Sequence, residues 1–188
     1  MPIMNNDLRV VKTKRAIENA LLSLLEVMPF SKVRIINIAE RAMVNRNTIY
    51  LHYESKEAIV MSIINRQFSE NLIELSSEDL FSRLASRTNL KKIYTRMLRI
   101  INSNIDLYRI VLMDTNLKGY ISVSLDHIKK EMYKMLKPTK KNLLGVEYIV
   151  NGSFGMISRW IIYATGELEE VADLLTSFTY SEFKHLSK

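Results

Sequence analysis

The chain has no cysteine, only five glycines, three prolines and one tryptophan in 188 residues. Without cysteine there is no disulfide, thiolate metal site or thiol nucleophile. Scarce glycine and proline leave few turn positions, and alternation of β-branched residues is never sustained, so an all-α chain is expected. The three histidines, His52, His127 and His185, share no metal-ligand spacing. No serine sits in a nucleophile elbow, and Gly152-x-x-Gly155 lacks the strand–turn–helix setting of a phosphate loop. Neither catalysis nor a metal or other cofactor is expected. Long apolar runs are missing too. The most apolar window, residues 148–158, is bounded by Glu147 and Arg159, well short of the ~20 residues a membrane helix requires. The first residues show no apolar stretch behind a basic start, so a soluble, cytoplasmic protein without a membrane partner is expected.

What is present is a basic balance: 27 Lys and Arg against 20 Asp and Glu, net +7, in a chain that is 47% hydrophobic. Such a balance mildly favours a polyanionic partner. The excess is spread out. Residues 1–60 hold nine basic and six acidic side chains, and the remainder eighteen and fourteen. Charge alone singles out no binding region.

Helical periodicity does. Ala16, Ile17, Ala20, Leu21, Leu24, Leu25 and Met28 define one apolar face of a helix over 12–28, which Pro29 stops. Two short helices follow, over 35–42 and 46–53. Ile35, Ile38, Ala39 and Ala42 are buried from the first, and Asn45 is placed to cap the second. Ile49 and Tyr53, four apart, face inward with Val44, leaving Arg46, Asn47, Thr48, Tyr50 and His52 on the opposite surface. Two short helices around a tight turn, the second polar outside, form the pattern of a helix-turn-helix whose second helix enters the major groove of double-stranded DNA. Arg46 and Asn47 suit base edges, since arginine pairs with guanine and asparagine with adenine, and Thr48 suits a thymine methyl or a phosphate. Tyr50 and His52 suit phosphates, and Lys56, at the start of the next helix, suits a phosphate anchor. Asn45 completes the candidate DNA-binding set.

The order Ile38, Ala39, Ala42, Val44, Asn45, Thr48, Ile49, Tyr50, His52, Tyr53, Ser55 and Lys56 resembles the N-terminal signature of TetR-like transcription regulators over roughly residues 9–60. Three departures stand out. Met43 occupies a usual glycine, so a left-handed turn there carries a conformational cost. Arg34 replaces a hydroxyl-bearing cap, and Asn45-Arg46-Asn47 replaces a more usual serine–basic–glycine. The resemblance implies a DNA-binding domain at 1–55 and a helical regulatory and dimerisation domain at 56–188, connected by a helix over 56–75.

Beyond that, spacing predicts helices over 90–103, 106–114, 120–136, 140–165 and 168–185. The helix over 140–165 is apolar almost all round and needs cover on two sides. A second copy of the chain is the natural cover, through Gly152, Met156, Trp160 and Tyr163, with Gly145 and Gly155 also permitting close approach. Tyr94, Tyr108, Tyr120, Tyr133 and Tyr148 are more often packing residues than a pocket lining, so no ligand residue is named. Gly152, Gly155, Arg159, Trp160, Gly166 and the acidic stretch 167–170 resemble a TetR subgroup in which some members act with partner proteins. The expected function is a homodimeric repressor released from a palindromic operator by a small-molecule effector. An activator or an interaction adaptor working through a partner protein is the alternative.

Overall fold

The computed structural model describes residues 3–72, 85–115 and 117–186, and all regular structure among them is helical. The chain divides into two compact units, residues 1–67 and 68–188. No helix among the described residues is long and apolar enough to cross a membrane.

The first unit contains α1 (Ile3–Leu25), a 3₁₀ turn (Phe30–Lys32), α2 (Ile35–Ala42), α3 (Arg46–Tyr50) and most of α4 (Lys56–Leu72). The expected helix over 56–75 is thus found as α4, except for 73–75, which lie outside the described residues. Most of α4 belongs with the first unit, because Ile59, Val60 and Ile63 are fully buried there. They share its core with Ile17, Leu21, Leu24, Val33, Ile38 and Ile49. Helix α1 stops at Leu25, three residues early. Val27 and Met28 both donate backbone N–H to the Leu24 carbonyl, at 3.1 and 3.0 Å, tightening the last turn. Pro29 then denies Met28 helical geometry.

The unusual residues around α2 are each accommodated locally. Arg34 has no acceptor to offer as a cap. Asn37 reaches back instead, its Oδ1 accepting the Arg34 backbone N–H at 3.0 Å. After Ala42 the chain closes in a Schellman turn: Met43 N–H donates to the Glu40 carbonyl and Val44 N–H to that of Ala39. Met43 provides the left-handed residue, with φ 54° and ψ 41°. Its side chain is 92% exposed, so no packing offsets that cost. Met43→Gly should therefore stabilise this unit by about 1 kcal/mol, read as a thermal midpoint raised by several degrees. An unchanged or lowered midpoint would contradict this.

The second unit contains α5 (Arg87–Ser103), α6 (Ile105–Met113), α7 (Lys118–Met135), α8 (Lys140–Tyr163) and α9 (Leu168–Leu186). Ser86 and Thr139 cap α5 and α8 by accepting the Asn89 and Asn142 N–H. Helix α9 packs on α5 and α8, while α6 and α7 cover α8 from elsewhere. One core cluster joins Met132, Val146, Ile149, Val150, Phe183 and Leu186. Three hydroxyls stitch the helices: Tyr94 of α5 lies 2.7 Å from Thr179 of α9 and 3.1 Å from Ser153 of α8. Burial holds the Tyr94 hydroxyl above the ordinary tyrosine range.

Two expectations about α8 are corrected. Trp160 is only 5% exposed, and its indole N–H donates to the Gly166 carbonyl at 3.2 Å. It is a core residue of its own unit and offers no surface to a second copy. Gly145 does serve a close approach, but an intramolecular one, because any Cβ there would collide with Leu186 of α9. Gly152 and Gly155, by contrast, face open space. Helix α8 ends at Tyr163 because Ala164 turns left-handed, with φ 48°.

Candidate nucleic-acid interface

Helix α3 is a single turn set on a buried base. The Asn45 side chain accepts from the Asn47 N–H at 2.8 Å, which fixes where the helix begins. Ile49 is fully buried, so its neighbours Arg46, Asn47 and Tyr50 are forced outward, and all three are exposed. Thr48 and His52 are half-buried at the sides. The periodic hydrogen bonding continues past Tyr50, with Tyr53 N–H donating to Ile49 O at 2.8 Å, through a turn that leaves Leu51 exposed. The Asn45 side-chain Oδ1 is occupied by its cap, whereas Arg46, Asn47 and Tyr50 are all exposed.

Arg46 and Tyr50 also touch. The guanidinium lies 5.4 Å from the ring centroid, and Nη2 donates to the phenol oxygen at 3.1 Å. Lys56 sits apart from this surface. Its ammonium donates to the Phe30 and Val33 carbonyls at 2.7 and 3.1 Å and rests 4.2 Å from the centroid of the Phe30 ring. Two of its three donors are thereby used to hold the α1–α2 connection against the start of α4. Ser55 accepts the Ala58 N–H and caps α4 at the same place.

The orientation of α3 depends on a buried carboxylate that spacing did not reveal. Glu18 of α1 is 2% exposed. It accepts from the Tyr53 hydroxyl at 3.1 Å, the Ser62 hydroxyl at 2.8 Å and Arg66 Nε at 2.9 Å. Tyr53, which ends the turn after α3, is thus tied to both α1 and α4. Burial, reinforced by the Glu18 carboxylate, pushes the Tyr53 hydroxyl up to about 12 against the lowering effect of Ser62. It remains a donor at any ordinary pH. The sequence signal was there in weak form: Glu18 interrupts the inward stripe of Ile17 and Leu21. Arg41 makes a second tie between α2 and α1, donating from Nε to Ser23 at 3.0 Å.

Residues 19–63, which span this arrangement, match the family model for bacterial regulatory proteins of the tetR family. Over these residues the chain is TetR-like. Two curated relatives match part of the chain: an uncharacterized HTH-type transcriptional regulator, YxbF, of Bacillus subtilis strain 168, 32% identical over 71 residues, and the A-factor receptor protein of Streptomyces griseus, 35% identical over 66 residues. The matches cover 37% and 35% of this chain but only 19% and 24% of those relatives. The TetR-like fold extends over nearly the whole molecule. The dihydroxyacetone kinase operon activator DhaS aligns with TM-score 0.67 over 93% of this chain and 97% of its own, at 17% identity. A TetR transcriptional regulator from Streptococcus agalactiae 2603V aligns with TM-score 0.57 over 94% and 98%, at 20% identity.

Among the tyrosines of the second unit, Tyr94 and Tyr133 have their hydroxyls engaged within the fold, Tyr133 with Glu147 at 2.9 Å. Tyr108 is buried, and Tyr120 and Tyr148 lie on the surface. They act as packing and surface residues, dispersed over the helices.

Proposed function

We propose that this TetR-like protein is a non-catalytic, homodimeric transcription regulator that reads double-stranded DNA through α3. The observation that carries this reading is the exposure of Arg46, Asn47 and Tyr50 together on a helix whose base, Ile49 and Tyr53, is locked into the unit. Arg46 and Asn47 offer the donors and acceptors that distinguish base pairs in the major groove. Tyr50, Thr48 and His52 contact phosphates, and Asn45 supports the surface by capping α3. Lys56 contributes by fixing the loop it binds, with its remaining donor directed to a phosphate.

A palindromic operator requires two copies. The interface we propose runs along the exposed stripe of α8, with Tyr148, Gly152, Gly155 and Tyr163 at helical spacing and Met156 half-buried beside it. The antiparallel neighbour α9 adds Leu174 and Phe178, the latter 55% exposed. We assign the protein as a cytoplasmic repressor released by a small-molecule effector, which must bind the released state more tightly to shift the population. A second reading, an activator that works through a partner protein, is favoured by the likeness of fold to an operon activator.

An electrophoretic shift of the full chain on the promoter regions beside its own coding sequence, with salt varied, tests the core of the proposal. A sequence-specific complex that weakens as salt rises is expected. Absence of any specific complex at low salt would refute DNA reading. Transcription from a bound promoter in the presence of RNA polymerase then separates the two signs: a fall supports the repressor and a rise the activator.

A further inference from the structure

Resting on DNA reading by α3, we propose that Tyr50 is a positioning residue for Arg46, and that the two side chains act as one base-reading unit. They are four residues apart on α3, a spacing that places side chains on the same face. The ring lies beneath the guanidinium at 5.4 Å, and the phenol oxygen accepts from Nη2 at 3.1 Å. A cation–π contact and a hydrogen bond together restrict the rotamers of the Arg46 side chain. An exposed arginine otherwise loses much rotamer freedom on binding, and ordering it beforehand removes part of that loss.

The chemistry of the phenol makes the pairing directional. Its oxygen accepts from Arg46, so its own proton remains free to donate. A phosphate oxygen accepts only. The chain guanidinium N–H to phenol oxygen, then phenol O–H to phosphate oxygen, is self-consistent, and each link polarises the next. Four further N–H donors of Arg46 remain for a guanine edge. Engagement of the backbone by Tyr50 and reading of a base by Arg46 are then one event, so removing the phenol oxygen erodes sequence preference as well as affinity. Asn47, on the same helix but outside the hydrogen bond between Arg46 and Tyr50, serves as the independent reader.

The test uses the full chain and duplexes recovered by the wild-type protein from a randomised pool. Dissociation constants are measured for the preferred duplex and its single-base-pair changes with Arg46→Ala, Tyr50→Phe, Asn47→Ala and the double variants. Arg46→Ala should flatten discrimination at one base pair by roughly ten- to a hundred-fold. Tyr50→Phe keeps the ring and should flatten the same base pair by roughly three- to ten-fold, with an unchanged melting temperature. Combined with Arg46→Ala it should add nothing further there, whereas combined with Asn47→Ala its effect should add in full. Uniform weakening by Tyr50→Phe with preference intact would overturn the pairing, leaving Tyr50 a phosphate contact alone. Full additivity with Arg46→Ala would overturn it as well. Failure of the wild-type chain to recover any preferred duplex would overturn DNA reading itself, and the pairing with it.

Discussion

Replacing Glu18 by alanine should lower the stability of the N-terminal unit by about 3 kcal/mol or more. Glu18 is 2% exposed and its carboxylate serves three donors, one from the end of the α3 segment and two from α4. Its removal takes the buried carboxylate away from Arg66 and leaves the Tyr53 and Ser62 hydroxyls, among the described residues, with their mutual contact at 3.3 Å. Unpaired buried donors cost more than the hydrogen bonds themselves were worth. Glu18→Gln separates the contributions, because its amide oxygen still accepts from the hydroxyls while the charge opposite Arg66 is gone. The expected order of thermal midpoints, followed by circular dichroism, is wild type above Glu18→Gln above Glu18→Ala. DNA binding should vanish at temperatures where the alanine variant has melted and persist below them. Melting of Glu18→Ala at the wild-type temperature would refute the role of this cluster in holding α3.

Replacing Trp160 by alanine should cost the second unit about 4 kcal/mol, in the range for truncating a buried large aromatic side chain. The indole is almost wholly enclosed and its N–H is bonded to Gly166 O, where the chain turns from α8 into α9. The consequence distinguishes a core residue from an interface residue. Truncation at an interface shifts the monomer–dimer equilibrium and gives a midpoint that depends strongly on protein concentration. Truncation of the core lowers the midpoint at every concentration. Thermal melts at two widely separated concentrations, with sedimentation of the folded protein at low temperature, check this. An intact, well-folded Trp160→Ala monomer would return Trp160 to the interface.

Much of the N-terminal unit was legible because its determinants are local. Ile38, Ala39, Ile49 and Tyr53 fall at helical spacing, and Asn45 and Ser55 cap the helices they precede. The left-handed turn at Met43 follows from the need to close one short helix and start the next within three residues. Position 34 is also a local matter: without a hydroxyl there, the Arg34 carbonyl accepts the Asn37 N–H and the Asn37 Oδ1 accepts the Arg34 N–H.

The remaining assignments depend on which distant segments meet, and periodicity carries no such information. An apolar helix such as α8 shows that it needs cover on several sides without showing which cover is its own. Only the packing of α9 places Leu186 against Gly145 and the Gly166 carbonyl against Trp160, leaving Tyr148, Gly152 and Tyr163 outside. Lys56 likewise reads as a free cation until the Phe30 and Val33 carbonyls are found within its reach. Glu18 meets Tyr53, Ser62 and Arg66 across 35, 44 and 48 residues. Sequence by itself determined the helical character of the described residues and, of the five side chains it placed outward on α3 and the turn after it, the exposure of Arg46, Asn47 and Tyr50, since backbone periodicity and capping act within a few residues. Tertiary structure decided which charges are spent inside and which apolar faces remain open, because burial is a property of the segments that come together in space.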